Sequence, residues 1–328
     1  MKTTEREREL YSSDVEVVKR DDRCTVYRIS NTSGAVEVTN YRVFQGIELN
    51  YNDAHIQRFS INSPPPIDTM EINYCQNGRI EFEMHNKYTY LSQGDMYVYL
   101  KNGLSRESYF PFKDYRGISI LIDLRQAPRN MTGLLDDYSI DVDTLEKKYC
   151  NRPEGVVIRA NPRTDHVFSE LYNITDKQRE GYLKLKVLEV LLFLSDYEIC
   201  NECVEPRYYT SAQVNASKKV AGYLAEHTES HFTIQELSQK FDISPTLLKT
   251  CFKYIYGVSV SSFARKCKMA KAAQLLRQTN LSIIEIAGVV GYDNGSKFAG
   301  AFKKCTGLTP TEYRKSDDQM EPYKTFWS

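Results

Sequence analysis

The sequence predicts an α+β chain in which an antiparallel β domain precedes an all-α domain. Three observations support this. Residues 11 to about 160 carry short apolar runs separated by clusters of Gly, Asn, Pro and Ser, the spacing of a sandwich or barrel. From about residue 165 to 202 the apolar side chains fall at helical spacing instead. Residues 216–315 contain one helix-period segment written twice. A length of 328 residues accommodates a core for each of two domains.

The first ten residues are polar and charged, which fits neither a signal peptide nor a membrane anchor. No stretch approaches the roughly 18 apolar residues of a membrane span. The expected location is cytoplasmic. The eight cysteines are scattered and read as reduced thiols, because no secretory signal accompanies them.

Strands are expected at 24–30, 35–43, 46–51, 70–76, 79–85, 87–91, 95–100 and 115–122. Gln76-Asn77-Gly78 between two β-rich runs predicts a tight hairpin. Glu81, Glu83 and His85 alternate on one strand face, and His55 is the other histidine of the region. Glu83 stands where a metal site would place a second histidine. The triplet therefore reads as a solvated strand face, and no metal or other cofactor is expected. Tyr74, Tyr88, Tyr90, Tyr97 and Tyr99 suit either core packing or an aromatic-lined pocket for a small organic ligand or peptide. No pocket residues are assigned from sequence, and no nucleophile–base constellation suggests a catalytic residue.

Residues 161–202 form a helical segment. Leu183, Val187, Leu191 and Leu194 lie on one side of its second helix, and Leu185, Leu188, Leu192 and Ile199 on another. A helix apolar on two sides needs two partners. The first set is assigned to a homodimer interface, with burial inside one chain as the alternative. Cys200 and Cys203 have metal-ligand spacing but no second pair, so they read as linker thiols. Residues 203–215 form an inter-domain linker and 316–328 a polar tail.

The repeat spans 233–256 and 282–306. Thr233 matches Ser282, Glu236 matches Glu285 and Leu237 matches Ile286. After one extra residue in the second turn, Phe252 matches Phe302 and Gly257 matches Gly307. Each copy opens on a capping box, in which the hydroxyl accepts from the third helical amide and the carboxylate accepts from the cap amide. A short apolar helix follows, then a turn, then a second helix with Leu248 and Phe252, or Phe298 and Phe302, toward the core. This is the grammar of a helix-turn-helix, whose second helix lies in the DNA major groove. The residues expected to face DNA are Ser244, Thr246, Lys249, Thr250 and Lys253 in the first copy. In the second they are Asn294, Ser296, Lys297, Gly300, Lys303 and Lys304. A basic connector helix over 260–278, with Phe263, Cys267, Ala270, Gln274 and Arg277 at helical spacings, would hold the copies at a fixed distance.

Ile286-Ala-Gly-Val-Val-Gly-Tyr292, Phe302-Lys-Lys304 and Gly307-Leu-Thr-Pro-Thr-Glu-Tyr-Arg314 closely resemble the AraC/XylS-type DNA-binding domain of bacterial transcription regulators. Many members carry larger polar residues where this chain has Gly295, Ser296 and Gly300, so its second copy is expected to contact mainly phosphates. Residues 70–75, 78–82 and 90–97 resemble the cupin-like sensor domain often fused to that unit. The resemblance implies a jelly-roll barrel for residues 1–160, able to hold an effector.

Charge agrees with this organisation. Residues 215–315 hold 15 Lys and Arg against 7 Asp and Glu, a net +8, and the chain sums to zero, so the remainder carries −8. A basic module on an acidic body is the electrostatic footprint of a DNA-binding protein. The expected function is a ligand-responsive transcription regulator, not an enzyme, acting on double-stranded promoter DNA. The resemblance favours an activator, with RNA polymerase as a further partner. Two other readings fit the same sequence: a constitutive regulator whose barrel only dimerises, and a metal-dependent cupin enzyme fused to a DNA module.

Overall fold

The longest strand of the N-terminal unit belongs to two sheets. The computed structural model describes residues 3–61, 68–84, 87–101, 106–172, 174, 178–199 and 209–316. The chain divides into two compact units, Met1–Tyr208 and Tyr209–Ser328. In order, the first contains α1 (Glu5–Tyr11), β1 (Glu16–Arg20), β2 (Thr25–Asn31), β3 (Gly34–Phe44), β4 (Ile47–His55) and β5 (Arg58–Ile61). Next come β6 (Thr69–Met84), β7 (Lys87–Ser92), β8 (Met96–Leu100), β9 (Arg106–Tyr109) and β10 (Tyr115–Asp123). Helices α2 (Ala127–Asp137) and α3 (Val142–Cys150) then precede β11 (Val156–Ile158), α4 (Pro162–Ser169) and α5 (Arg179–Asp196).

The larger sheet runs β1-β2-β3-β4-β10-β6-β8-β11, all its pairs antiparallel. The first half of β6 pairs with β10 and β8 there, and its second half pairs with β7 and β9, which lead to β5. The expected hairpin at Gln76–Gly78 is therefore corrected: the chain continues straight through as one strand. The register slips opposite Arg116 and Gly117, a bulge that turns the strand from one sheet into the other. Gly78 has φ +80°, and a Cβ there would overlap the carbonyl oxygen of Asp114. The glycine serves a close crossing of β6 over the start of β10, not a two-residue turn.

One face of the larger sheet is apolar. Leu49, Met70, Ile72, Ile118, Ile120 and Ile122 form a single core with Leu135, Leu145, Tyr149 and Phe168 from the helices. The Tyr74 ring stacks on Phe168 at 4.2 Å and 4°. Helix α5 closes this core. Leu183, Val187, Leu191 and Leu194, expected to face a twin helix, are no more than 2% exposed and belong to it. Their assignment is corrected from partner-facing to internal, because the sheet covers the face that helical periodicity alone left open. The surface leucines of α5 are Leu185, 61% exposed, and Leu192, 39% exposed.

Glu81 is also corrected. It is buried and accepts a hydrogen bond from the Tyr90 hydroxyl, so that strand face is not solvated. His85, the Cys200–Cys203 pair, residues 203–208 of the expected linker and the tail beyond Ser316 lie outside the described residues. Among the described residues no helix is long and apolar enough to cross a membrane.

The second unit contains α6 (Ser211–Glu226), α7 (Ile234–Lys240), α8 (Pro245–Tyr256), α9 (Val260–Gln278), α10 (Ile283–Val289), α11 (Gly295–Thr306) and α12 (Pro310–Lys315). Both helix pairs, α7–α8 and α10–α11, open on capping boxes at Thr233/Glu236 and Ser282/Glu285. Both close on a left-handed glycine, Gly257 and Gly307. A third capping box, Thr309/Glu312, starts α12.

Replacing Leu191 by Ala is expected to cost about 2–5 kcal/mol of stability, the range for emptying a packed leucine site. Urea unfolding alongside sedimentation velocity checks it. Lower stability with unchanged oligomeric state is the expected result, and dissociation without loss of stability would return Leu191 to an interface.

Candidate nucleic-acid interface and effector cavity

In the second unit the exposed face of α8 is set by its buried one. Leu248, Cys251, Phe252 and Ile255 fill the core, so Thr246, Lys249, Thr250 and Lys253 share the outer face at i, i+3, i+4 and i+7. Phe298 and Phe302 do the same for α11, leaving Ser296, Lys297, Gly300, Lys303 and Lys304 outside. All eleven residues expected to face DNA are exposed. Three are also committed locally. Ser244 caps α8 by accepting from the Leu247 amide at 3.3 Å. The Asn294 carbonyl oxygen caps α11 through the amides of Ser296 at 2.9 Å and Lys297 at 3.0 Å, which leaves its amide nitrogen for a ligand. Thr250 donates back to the carbonyls of Thr246 and Leu247 and presents its methyl outward.

The connector α9 joins two cores. Near its start Val260 is buried, and Phe263 packs with Phe252 and Tyr256 in an aromatic cluster. Met269, Ala272, Ala273 and Leu276 pack with Ile286, Val290, Phe298 and Phe302. The buried stripe thus shifts after Cys267, and Gln274 and Arg277, at helical spacing from it, are exposed. The turns differ by the one residue seen in the repeat, 241–244 in the first pair and 290–294 in the second.

His227 and His231 flank the end of α6, and both make contacts. His227 Nδ1 lies 2.9 Å from the Tyr223 carbonyl, and His231 Nε2 lies 3.0 Å from the Gly291 carbonyl.

The first unit has a partly open cavity of about 110 Å³ lined from both sheets and by Leu10 and Tyr11 of α1. Its large-sheet wall combines the apolar Ile29, Val36, Val38, Ala54 and Leu121 with a polar patch. Asn50 and Asn52 on β4, Ser119 on β10, and Glu71 and Asn73 on β6 alternate with the apolar residues of the opposite face. Asn52 donates to Ser119 Oγ at 2.6 Å, Tyr115 to Asn73 at 2.8 Å, and Tyr11 to Asn50 at 3.2 Å. Lys101 Nζ pairs with Glu71 at 3.3 Å. Burial pushes the Tyr11 and Tyr115 phenols well above their ordinary range, so both remain protonated donors. Phe59, Phe82, Tyr99 and Phe110 supply aromatic walls. Polar side chains cost free energy when buried without partners, and packing between two sheets does not itself require them. Asn50-x-Asn52 and Glu71-x-Asn73, polar at every second position within apolar strands, carried this signal in the sequence.

Residues 237–316 match a family described as a helix-turn-helix domain. Over 152 residues the chain is 33% identical to the arabinose operon regulatory protein of Salmonella typhimurium, covering 45% of this chain and 53% of that protein. Over 258 residues it is 32% identical to the raffinose operon transcriptional regulatory protein RafR of Pediococcus pentosaceus, covering 76% of this chain and 86% of that protein. The chain belongs to the AraC family of transcription regulators. It spans about half the length of the arabinose regulator it matches. The C-terminal domain of AraT, a response regulator from Geobacillus stearothermophilus, is 32% identical with a TM-score of 0.30, covering 32% of this chain and 89% of that domain. AraC-family proteins are regulators and not enzymes, so the metal-dependent enzyme reading is set aside.

Gly300 lies mid-helix on the exposed face of α11, and a Cβ there would meet no atom within 4 Å. Gly300→Ala is therefore expected to stabilise the second unit by about 0.5–1 kcal/mol. Thermal unfolding of the full chain checks this, and a lower melting temperature would contradict it.

Proposed function

We propose that this AraC-family chain is a cytoplasmic, ligand-responsive activator that binds promoter DNA in a sequence-specific way through two helix-turn-helix motifs. The observation that carries the reading is the pair of second helices, α8 and α11. Each presents small, hydroxyl and basic residues on its exposed face and is anchored by paired aromatics or leucine on the other. Such side chains suit phosphates and base edges, and the net +8 of the module favours association with DNA. An activator role adds RNA polymerase as a partner. The first unit is read as a cupin-like jelly roll, and a homodimer is supported by the leucines that α5 leaves exposed, Leu185 and Leu192.

The effector is read as a small polyhydroxylated molecule of the sugar class, held in the cavity of the first unit. Asn50, Asn52, Glu71 and Asn73 supply donors and acceptors for hydroxyls, and the aromatic walls suit the apolar faces of a sugar ring. Two relatives carry arabinose and raffinose operons in their names, which agrees with this chemistry. The ligand must bind two arrangements of the chain unequally, or it shifts nothing.

The test begins with duplexes selected from a random pool by the full-length chain. Protection of two successive major grooves per chain is the expected footprint. Protection that ignores sequence and fades with salt would leave only non-specific electrostatic contact. Lys249→Ala is expected to cost about 1–3 kcal/mol and to relax the preference at one base pair. A uniform loss on every sequence would make Lys249 a phosphate contact. Thermal melts with pentoses, hexoses and oligosaccharides test the effector. A bound sugar at a hundredfold its Kd stabilises by about 2.7 kcal/mol, and Asn52→Leu should remove that shift. No shift with any sugar would favour a constitutive regulator with a purely dimerising barrel.

A further inference from the structure

Three contacts converge on the turn that launches α11, and all come from outside the second helix pair. Lys268, on the connector α9, is 5% exposed and donates from Nζ to the Val290 carbonyl at 3.0 Å. His231, in the loop before the first pair, places Nε2 3.0 Å from the next carbonyl, Gly291. Gly291 itself has φ +74°, and a Cβ there would overlap the Glu229 carbonyl oxygen and crowd Lys268 Nζ. The backbone of the first half therefore lies directly against the turn of the second. An ammonium group is costly to bury, and burial does lower the Lys268 pKa, with Glu229 opposing the shift. A methionine would fill the same space without that cost. The retained charge calls for a role beyond packing.

We propose that Lys268, His231 and the Glu229–Gly291 backbone contact form a clamp that fixes the angle and separation of α8 and α11. The chain then accepts one spacing between its two half-sites, and Lys268 is the positioning residue. This rests on the two-motif DNA reading. The turn 290–294 runs straight into α11, whose first residue is Gly295. Holding two consecutive carbonyls of that turn fixes where the helix start points. Helix α9 alone leaves this direction less constrained, because its two ends sit in separate cores. Inserting one base pair between half-sites rotates the second by about 34° and moves it about 3.4 Å. A rigid module cannot follow that change, and a loosened one can.

The experiment compares the wild-type chain with Lys268→Met and His231→Ala. Methionine keeps the buried stem, and His231 is exposed, so its truncation leaves folding intact even if the first variant unfolds. Nitroxide labels at Thr246 and Ser296, attached through a genetically encoded keto amino acid, report the α8–α11 distance without DNA. The wild type should give a narrow distribution and both variants a broader one. Binding is then measured on the wild-type-selected duplex with zero, one or two base pairs inserted between half-sites. One insertion should cost the wild type tenfold or more and the variants about threefold or less, by the usual scale of mismatch penalties. Distances as narrow in both variants as in the wild type would overturn the clamp. So would an unchanged insertion penalty. A wild-type footprint confined to one groove would instead overturn the two-motif reading and, with it, the role assigned to the clamp.

Discussion

The C-terminal unit depends on one helix being shared between two hydrophobic cores. Helix α9 gives Val260 and Phe263 to the core of the first helix pair, and Met269, Ala272, Ala273 and Leu276 to that of the second. A helix of 19 residues is about 28 Å long, so its ends can serve different cores without bending. Each pair has only one short and one medium helix, and α6 on the first and α12 on the second add to the cover that α9 supplies. Their cores therefore form together through α9. The exposed faces of α8 and α11 follow as the complements of the faces buried there. Any reading of these helices as recognition elements inherits its geometry from that arrangement.

The first unit depends on a different economy, the two-residue period of a strand. Leu49, Ile72 and Ile120 point toward the helices, while Asn50, Asn73 and Ser119 point into the cavity. One sheet thus serves as the floor of a packed core and as one wall of a cavity that carries a polar patch. A one-residue slip of β6 against β10 would exchange those faces, so the register must be pinned. The bulge at Gly117 and the close crossing at Gly78 supply fixed points on both strands.

Local signals were readable from the sequence, and long-range ones were not. Thr233/Glu236, Ser282/Glu285 and Thr309/Glu312 act within one turn of helix, so they mark helix starts without knowledge of the fold. The exposed faces of α8 and α11 were likewise visible, because leucine and aromatic spacing defines the opposite side. The failures each involve a partner far along the chain. Gly78 reads as a hairpin until Asp114 is known to lie beneath it. The α5 leucines read as partner-facing until the sheet is placed on them. Glu81 reads as solvated until Tyr90 covers it. His231 reads as idle until Gly291, sixty positions later, comes within 3.0 Å. The polar patch on the strands was present as alternation, but only the second sheet reveals that it faces a cavity.

The strand period also limits how a ligand in the cavity can act. Asn50 and Asn73 contact the chamber, and their immediate neighbours Leu49 and Ile72 contact the core that holds α5. A displacement of β4 or β6 by a bound molecule is therefore felt on the helix side at once, because packed cores switch between arrangements and do not deform smoothly. Helix α1 offers a second route, since Leu10 and Tyr11 line the chamber while Glu7 bonds Tyr27 and Arg20 outside it. A ligand that displaced the Tyr11 hydroxyl from Asn50 would loosen α1 without touching α5. These routes differ in what they leave behind. Coupling through the sheet requires the α5 leucines to stay packed, whereas coupling through α1 requires only that its anchors yield. If a ligand acts through the sheet, the change would reach α5, the last described helix before the second unit begins.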